Sequence, residues 1–422
     1  MKSDNGGRDL RLDLVLGVLT GRLSQQTQDC IASNGDVNQQ ALTQVSTSRQ
    51  DNHKLKADGY NSSREFIVLP SRKLPRWLLP LGNPAIAVKS FDIYAPYARS
   101  GRILKWIANG LLLSGWTGFP QNRVLVSFSG RLPLEELVHQ LTGESHPIFS
   151  FSMGTPGRFQ KLTVQVMGPD GAILGYMKLP LTELAQERVR HEAAVLKGLE
   201  NSALRPYVPR LLYAGPWEHG YLVFQSALTG APGPTVLTSK HDKLLNTMHE
   251  VHSVSKPGPA LVEYVAQRWR NFAPQLGRTW NEIGNEILHC CAQALASSSV
   301  MCGLMHGDFT PWNSKLSHGE LLVFDWESAE EEAPLDWDLF HFHVQTASCL
   351  RRQLSLPRKD RGVECYWLYL LYSVARLAEA GPTTKPAIDY RERLARDQLE
   401  SRPGKWAATS AAPLSYSHRS GS

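Results

Sequence analysis

Cysteine is scarce in this 422-residue sequence, and the six present (Cys30, Cys290, Cys291, Cys302, Cys349 and Cys365) form no C-x-x-C pair and no zinc spacing. A disulfide framework and a structural zinc site are therefore not expected, and the thiols read as buried or free in a reducing, cytoplasmic compartment. A secretory leader is also not expected. The early apolar run at 10–19 is interrupted by Arg11, Asp13 and Gly17 and lacks a basic region followed by a continuous apolar core. A second apolar stretch, 103–113, is shorter than the roughly 20 residues a bilayer crossing needs. A large charge of one sign is lacking too. The net charge is +6, the pI is near 8.9, and the cations are dispersed, which is not the footprint of a dedicated nucleic-acid binder. No internal repeat is visible. What remains is a 42% hydrophobic content, enough to build real cores, in a length with room for two or three domains.

The chemistry-bearing feature is Met305-His306-Gly307-Asp308-Phe309-Thr310-Pro311-Trp312-Asn313, followed by Leu321-Leu322-Val323-Phe324-Asp325-Trp326-Glu327. In the kinase catalytic loop, H-R-D-x-x-x-x-N, the aspartate orients the attacking hydroxyl and accepts its proton, and the asparagine reaches a metal ion on the phosphates. Asp308 and Asn313 have that separation. A turn at Ser317-His318-Gly319-Glu320 and the apolar strand 321–324 then deliver Asp325 as a second metal ligand. Magnesium prefers oxygen ligands and keeps several waters, so one carboxylate, one amide oxygen and the nucleotide phosphates suffice. A lone H-G-D would be weak; the ordered set of Asp308, Asn313 and Asp325 is specific.

These residues resemble the aminoglycoside phosphotransferase and choline kinase superfamily, whose fold is similar to that of protein kinases. Family members read H-G-D-x-x-x-x-N, then an apolar strand ending in I-D-W-E or a close variant, then a proline and D-L. This chain has His306-Gly307-Asp308 with Asn313, Phe324-Asp325-Trp326-Glu327, and Pro334 with Asp338-Leu339. The resemblance covers a little over half the chain and is strongest at 304–340. It implies an α+β, two-lobed kinase-like fold with a small β-rich amino-terminal lobe and a larger helical carboxy-terminal lobe. It also implies Asp308 as catalytic aspartate, Asn313 and Asp325 as Mg2+ ligands, His306 as a brace for the loop, Asp338 as its support, and ATP or GTP as phosphoryl donor.

Such a fold needs a phosphate-covering loop and a lysine paired with a helix glutamate. Upstream, 148–152 reads as a strand, Met153-Gly154-Thr155-Pro156-Gly157-Arg158 as a loop and 162–166 as a returning strand. Gly168-Pro169-Asp170-Gly171 signals a turn. The next strand, 172–179, carries Lys178. Glu192 follows fourteen positions later in a helical stretch with Val189, Ala193 and Leu196 at i, i+4 and i+7. A Lys178–Glu192 ion pair is expected to hold the lysine against the nucleotide phosphates. Gly154 and Gly157 are the phosphate-loop candidates, although Pro156 removes one backbone donor; a plain hairpin turn is the competing reading. The apolar run 221–225 leads to a segment where the resemblance places the adenine-contacting hinge. Gln225 and Ala227 are its candidates, with Phe224 packing behind the base. Residues 243–252 form a helical face ending in His252, read as a packed histidine.

Residues 1–64 are rich in Ser, Gln, Asn, Asp and Gly and are expected to be mostly disordered, with one short helix at 10–19. An accessory α/β region is expected at 65–145, the kinase-like amino-terminal lobe and hinge at 146–230, the carboxy-terminal lobe at 231–395 and a flexible tail at 396–422. In the accessory region a helix at 97–113 carries Ile103, Leu104, Ile107 and Leu111 beside Arg99, Arg102 and Lys105. Packing against the kinase unit is its preferred role, and peripheral contact with anionic lipid is the alternative.

The charge clusters do not fix the acceptor. Arg351, Arg352, Arg358, Lys359 and Arg361 would meet an anion, whereas Glu327, Glu330, Glu331, Glu332 and Asp336 would attract a cation; either is also an ordinary solvated loop. Only thirteen positions separate Asp325 from Asp338, leaving little room for the activation segment of a protein kinase. A small-molecule hydroxyl acceptor, such as an aminoglycoside, sugar or amino alcohol, is therefore expected. Tyr366, Trp367, Tyr369 and Tyr372 are either core or a stacking platform for it. The competing function is a nucleotide-binding regulatory or scaffold protein with little turnover. Oligomeric state is left open.

Overall fold

A computed structural model of the chain describes residues 10–20, 43–46, 62–115, 122–217, 220–354 and 362–400. These divide into two compact units. One runs to Val251 and includes His306–Glu330; the other comprises His252–Met305 and the chain from Glu331 onward.

The first unit is built on a nine-stranded antiparallel sheet. Its strands are β1 (Thr43–Ser46), β2 (Ser62–Ser71), β3 (Leu74–Pro80), β4 (Arg123–Phe128), β5 (Ile148–Met153), β6 (Lys161–Met167), β7 (Ile173–Pro180), β8 (Leu211–Trp217) and β9 (Gly220–Ser226). Their order is β1-β4-β2-β3-β5-β6-β7-β9-β8. The expected accessory region and the expected amino-terminal lobe thus share one sheet, joined where Trp77 and Leu78 of β3 pair with Ser152 and Phe151 of β5. The β6–β7 turn forms as its sequence predicts. Gly171 N–H bonds to the Gly168 carbonyl at 3.0 Å, the Asp170 carboxylate accepts from Ala172 N at 2.9 Å, and Gly171 takes the positive φ of +80° that the turn requires.

One face of this sheet is covered by α1 (Leu10–Thr20) and α4 (Pro133–Thr142), which bury Val15, Leu16, Leu134 and Val138 against Phe66, Leu78, Val126, Phe151 and Val164. The other face, near β2 and β3, receives α2 (Pro84–Ser90) and α3 (Arg99–Leu113), where Ala87, Phe91 and Leu112 pack on Ile67 and Leu79. The expectation that α3 packs its apolar stripe inward is not met. Ile103, Leu104, Ile107 and Leu111 all face solvent, and Leu112 alone of its large side chains is buried. The reason is rotational: Gly101, Lys105, Ala108 and Leu112, spaced at i, i+4, i+7 and i+11, form the side turned away from the exposed stripe.

Helix α5 (Glu183–Leu199) lies behind β7 to β9 and starts at Thr182, whose hydroxyl accepts from Ala185 N at 3.1 Å. Helix α6 (Ser239–Val251) buries Leu244, Leu245 and Met248. A small sheet of β10 (Ala231–Pro232), β13 (Ser314–Ser317) and β14 (Glu320–Val323) completes this unit.

In the second unit a sheet of β11 (Ser253–Pro257), β12 (Ser299–Met305) and β15 (Glu330–Pro334) adjoins helices α7 (Gly258–Leu276), α8 (Arg278–Ala294), α9 (Trp337–Leu350), α10 (Val363–Ala380) and α11 (Lys385–Glu400). Gly284 lets the Trp269 ring lie on α8, because a Cβ there would sit 2.4 Å from it. Tyr366, Trp367, Tyr369 and Tyr372 are all buried in this core, so they are packing residues and not a surface platform. His252 lies just beyond α6 and is exposed, 3.8 Å from Glu332, instead of packed. Asp338 is buried in the first turn of α9.

The helix expected near 10–19 forms as α1, and β1 and the start of β2 are structured segments within 1–64. The remaining residues of that stretch, the cations Arg358, Lys359 and Arg361, and the tail beyond Glu400 lie outside the described residues.

Because Phe66 of β2 meets Phe151 of β5 edge to face at 5.9 Å in a common core, Phe66→Ala is expected to destabilise β5 to β9 as well as the accessory strands. Chemical denaturation should show one shared transition weakened by about 3–5 kcal/mol. Two separate transitions, with only one shifted, would contradict a shared core.

Candidate active site

The expected Lys178–Glu192 pair forms. Lys178 comes from β7 and Glu192 from the buried face of α5, and the ammonium donates to both carboxylate oxygens at 2.6 and 2.7 Å. Lys178 also reaches Asp325 Oδ1 at 2.6 Å. Helix α5 is tied to the segment after Asp325 at two further points: His191 Nε2 lies 2.8 Å from the Ala329 carbonyl and Arg188 donates to Ser328 Oγ at 3.3 Å.

The loop at 306–313 is positioned by one imidazole. His306 is fully buried; its Nδ1 accepts from Asp308 N–H at 3.2 Å, so Nε2 carries the proton and donates to the Phe324 carbonyl at 3.0 Å. The ring thus links the residue before Asp325 to Asp308 itself. Gly307 between them has a φ of +78°, which a side chain would strain. Phe324 N–H returns to the Asn313 carbonyl at 3.0 Å, and the Asn313 amide donates to Asp308 Oδ2 at 2.8 Å and to its carbonyl at 3.0 Å. Held between these bonds, Asp325 adopts the left-handed region at φ +71°, a conformation that aspartate tolerates better than most residues.

Two contributors have no motif in the sequence. Lys161, the first residue of β6, donates to Asp325 Oδ1 at 3.1 Å and makes a short ion pair with Glu327. A signal existed only in three dimensions, since β6 lies beside β7 and Lys161 begins the strand that returns from the glycine loop. Tyr97, just ahead of α3, donates its hydroxyl to the Pro311 carbonyl in the loop at 306–313 at 2.6 Å. Burial pushes its phenol up to about 12, which keeps it a donor. Glu327, read from sequence as part of an acidic rim, belongs to this site, while Glu332 of that rim pairs with Lys256 at 2.6 Å.

The glycine loop is occupied with hairpin geometry. Gly154 N–H bonds to the Lys161 carbonyl at 2.9 Å, and a Cβ on Gly154 would meet that oxygen at 2.8 Å. Gly157 offers its carbonyl to Gln160 N at 3.2 Å. Gln225 is buried in β9 opposite Tyr176 and Leu211, Ala227 follows the strand half-buried, and Phe224 is enclosed in the sheet core.

Carboxylate oxygens of Glu192, Asp325 and Glu327 lie within 4.8 Å of one another. This is a set of hard donors that suits magnesium, and it overlaps the sequence expectation at Asp325. Asn313 is instead seen bonded to Asp308. Electrostatics are dominated by the lysines. Burial would raise the Asp325 carboxyl, but Lys161 and Lys178 outweigh it and hold the group well below the usual carboxylate range. Burial would likewise lower both lysines, and the surrounding carboxylates hold them above their ordinary value.

No family model matches the chain, and no curated protein matches it. Among solved structures it is similar to a thermostable mutant of the aminoglycoside phosphotransferase APH(4)-Ia in apo form, at 13% identity and TM-score 0.46 over 64% of this chain and 99% of that one. It is also similar to a choline/ethanolamine kinase family protein from Mesorhizobium loti, at 14% identity and TM-score 0.38 over 64% and 94%. A putative fructosamine-3-kinase from Haemophilus somnus is a third, at 10% identity and TM-score 0.38 over 62% and 96%. By their names these neighbours are small-molecule kinases.

The depressed Asp325 carboxyl gives a signed pH prediction. An unfolded aspartate titrates near about 3.9, so the folded form binds fewer protons and the stabilisation from Asp325 is complete above that pH and lost as pH falls below it. Melting curves of wild type and Asp325→Asn should be separated by a constant gap from neutral pH down to about 5, closing below about 4. A gap that persists unchanged in acid would contradict the ion-pair assignment.

Proposed function

We propose that this chain is a phosphotransferase that moves the γ-phosphoryl group of ATP or GTP to a hydroxyl of a small molecule. The observation that carries the reading is the joining, in one compact unit, of the Lys178–Glu192–Asp325 bridge with the His306-braced loop that bears Asp308 and Asn313.

Each side chain has a role the chemistry requires. Lys178, fixed by Glu192, supplies a localised positive charge for nucleotide phosphates. Asp308 is half-exposed on its loop, with Asn313 holding one carboxylate oxygen; it orients the acceptor hydroxyl and takes its proton. Asp325 and Asn313 offer oxygen donors for magnesium accompanying the nucleotide, with Glu327 and Glu192 beside Asp325. Magnesium bound there would offset phosphate charge. Gln225 and Ala227, at the end of β9, supply backbone groups for the base. Gly154 and Gly157 shape the hairpin over the phosphates; the N–H of Gly154 is already bonded within it, so its contribution is shape. The absence of an aromatic platform on α10 leaves sugars, amino alcohols and aminoglycosides equally open as acceptors.

Asp308→Asn should retain nucleotide binding and lose turnover by roughly 100-fold or more, since it removes the proton acceptor. The measurement is magnesium-dependent nucleotide consumption against pooled hydroxyl metabolites, with binding followed separately by calorimetry. Wild-type turnover in Asp308→Asn would refute the assignment. Lys178→Ala should instead weaken nucleotide binding and slow transfer together; equal affinity for nucleotide in that variant would show that the bridge is structural only.

A further inference from the structure

Although cations occur throughout the chain, one segment alone carries a charge excess equal to the net charge of the whole. Residues 71–113 carry Arg72, Lys73, Arg76, Lys89, Arg99, Arg102 and Lys105 against the single acid Asp92, an excess of +6. The whole chain also has a net charge of +6, so the rest of the sequence sums to zero. This segment contains the β2–β3 turn and α3.

Helix α3 is inverted relative to an ordinary helix on a sheet. Its inner side is Leu112 and Ala108, packed on Ile67 and Leu79, and Lys105, which is held by Asp92 at 3.1 Å and the Tyr94 carbonyl at 2.7 Å. Its outer side carries the large apolar residues: Trp106 is 77% exposed, Leu104 63%, Ile103 60% and Leu113 59%, with Ile107 and Leu111 between them. At 3.6 residues per turn these form one broad face. Arg99 and Arg102 are exposed beside it, and the helix has no acidic residue. The β2–β3 turn repeats the chemistry, with Leu74 65% exposed between Lys73 and Arg76.

A contiguous exposed apolar face marks an interaction site. A second copy of the chain would bring the same uncompensated cations together, which like-charge repulsion opposes. The complementary occupant has a negative surface over an apolar interior, and it accepts a helix of 15 residues lying flat. Those are the properties of an anionic bilayer surface. Tryptophan favours the boundary of such a layer, where its ring is apolar and its N–H is wet.

We propose that α3 is a membrane-docking helix that seats Ile103, Leu104, Trp106 and Ile107 in an anionic bilayer surface, with Arg99 and Arg102 on lipid phosphates. This stands independently of phosphoryl transfer. The full chain should co-sediment with phosphatidylcholine vesicles containing about one-third phosphatidylserine and bind pure phosphatidylcholine weakly, with the difference shrinking as salt is raised. Arg99→Glu/Arg102→Glu should weaken binding to the anionic vesicles by about five-fold or more per arginine. Trp106→Ser/Ile107→Ser should abolish pelleting with both compositions. Since all four side chains are exposed, both variants should keep the wild-type melting temperature and circular dichroism. Failure of the wild type to pellet with anionic vesicles, or wild-type binding in both variants, overturns the proposal. So does a wild-type dimer in solution that Trp106→Ser/Ile107→Ser converts to monomer without any change in lipid binding, because the face would then belong to a second copy.

Discussion

The Lys178 ammonium, shared between Glu192 and Asp325, is the interaction on which the first unit is organised. It joins a strand of the large sheet, the helix behind it and the segment that follows the 306–313 loop, with all three contacts between 2.6 and 2.7 Å. Stability alone does not account for it. Removing charges from water costs several kcal/mol per ion, and apolar residues of similar volume at a buried pair are often as stabilising or more so. An assembly of two lysines and three carboxylates, with Glu192 fully buried, is therefore not accounted for by packing. Under the proposed phosphoryl transfer, the anionic oxygens of a polyphosphate would suit the lysines and its divalent ion would suit the carboxylates.

The second constraint is the neutral imidazole of His306. A charged side chain in that position would need its own counter-charge, whereas the ring satisfies one donor and one acceptor from the backbone on each side of the site. It fixes Asp308 and the residue before Asp325 by the same rigid group, so a shift of one is transmitted to the other. The left-handed backbone at Asp325 is a cost of order 1 kcal/mol, and it is offset by these bonds and by two ammonium partners. Strain carried at a residue with two charged neighbours is what a site, as opposed to a core, exhibits.

The legible part of this fold was the part specified by local sequence. Glycine and aspartate at 168–171 dictate a turn; the apolar segments on either side of it read as strands; H-G-D with Asn313 and Asp325 sets the spacing of the loop. The Lys178–Glu192 pair could be anticipated because a strand lysine and a helix glutamate have a required order. Lys161 and Tyr97 could not, because they act across 164 and 214 residues of sequence, to Asp325 and Pro311, and neither sits in a pattern. The α3 stripe misled for a different reason. Periodicity shows that a helix has an apolar face but not which way that face turns, and here the smaller residues on the opposite side fit the sheet.

The continuity of the sheet changes what the accessory strands do. Backbone pairing between β3 and β5 involves only two residue pairs, so hydrogen bonds alone are a narrow seam. The seam is carried by side chains: Phe66, Val68 and Leu78 on one side of it and Phe149, Phe151 and Val164 on the other form a single buried cluster. Such close-packed contacts transmit displacement because they leave no void to absorb it. Tyr97 adds a polar link from the same region to the Pro311 carbonyl, two residues from Asn313. The helix that begins two residues later, at Arg99, is consequently anchored at its start to the loop that carries Asp308. Within this one compact unit, the start of α3 and the loop that carries Asp308 are therefore linked through the Tyr97 hydroxyl.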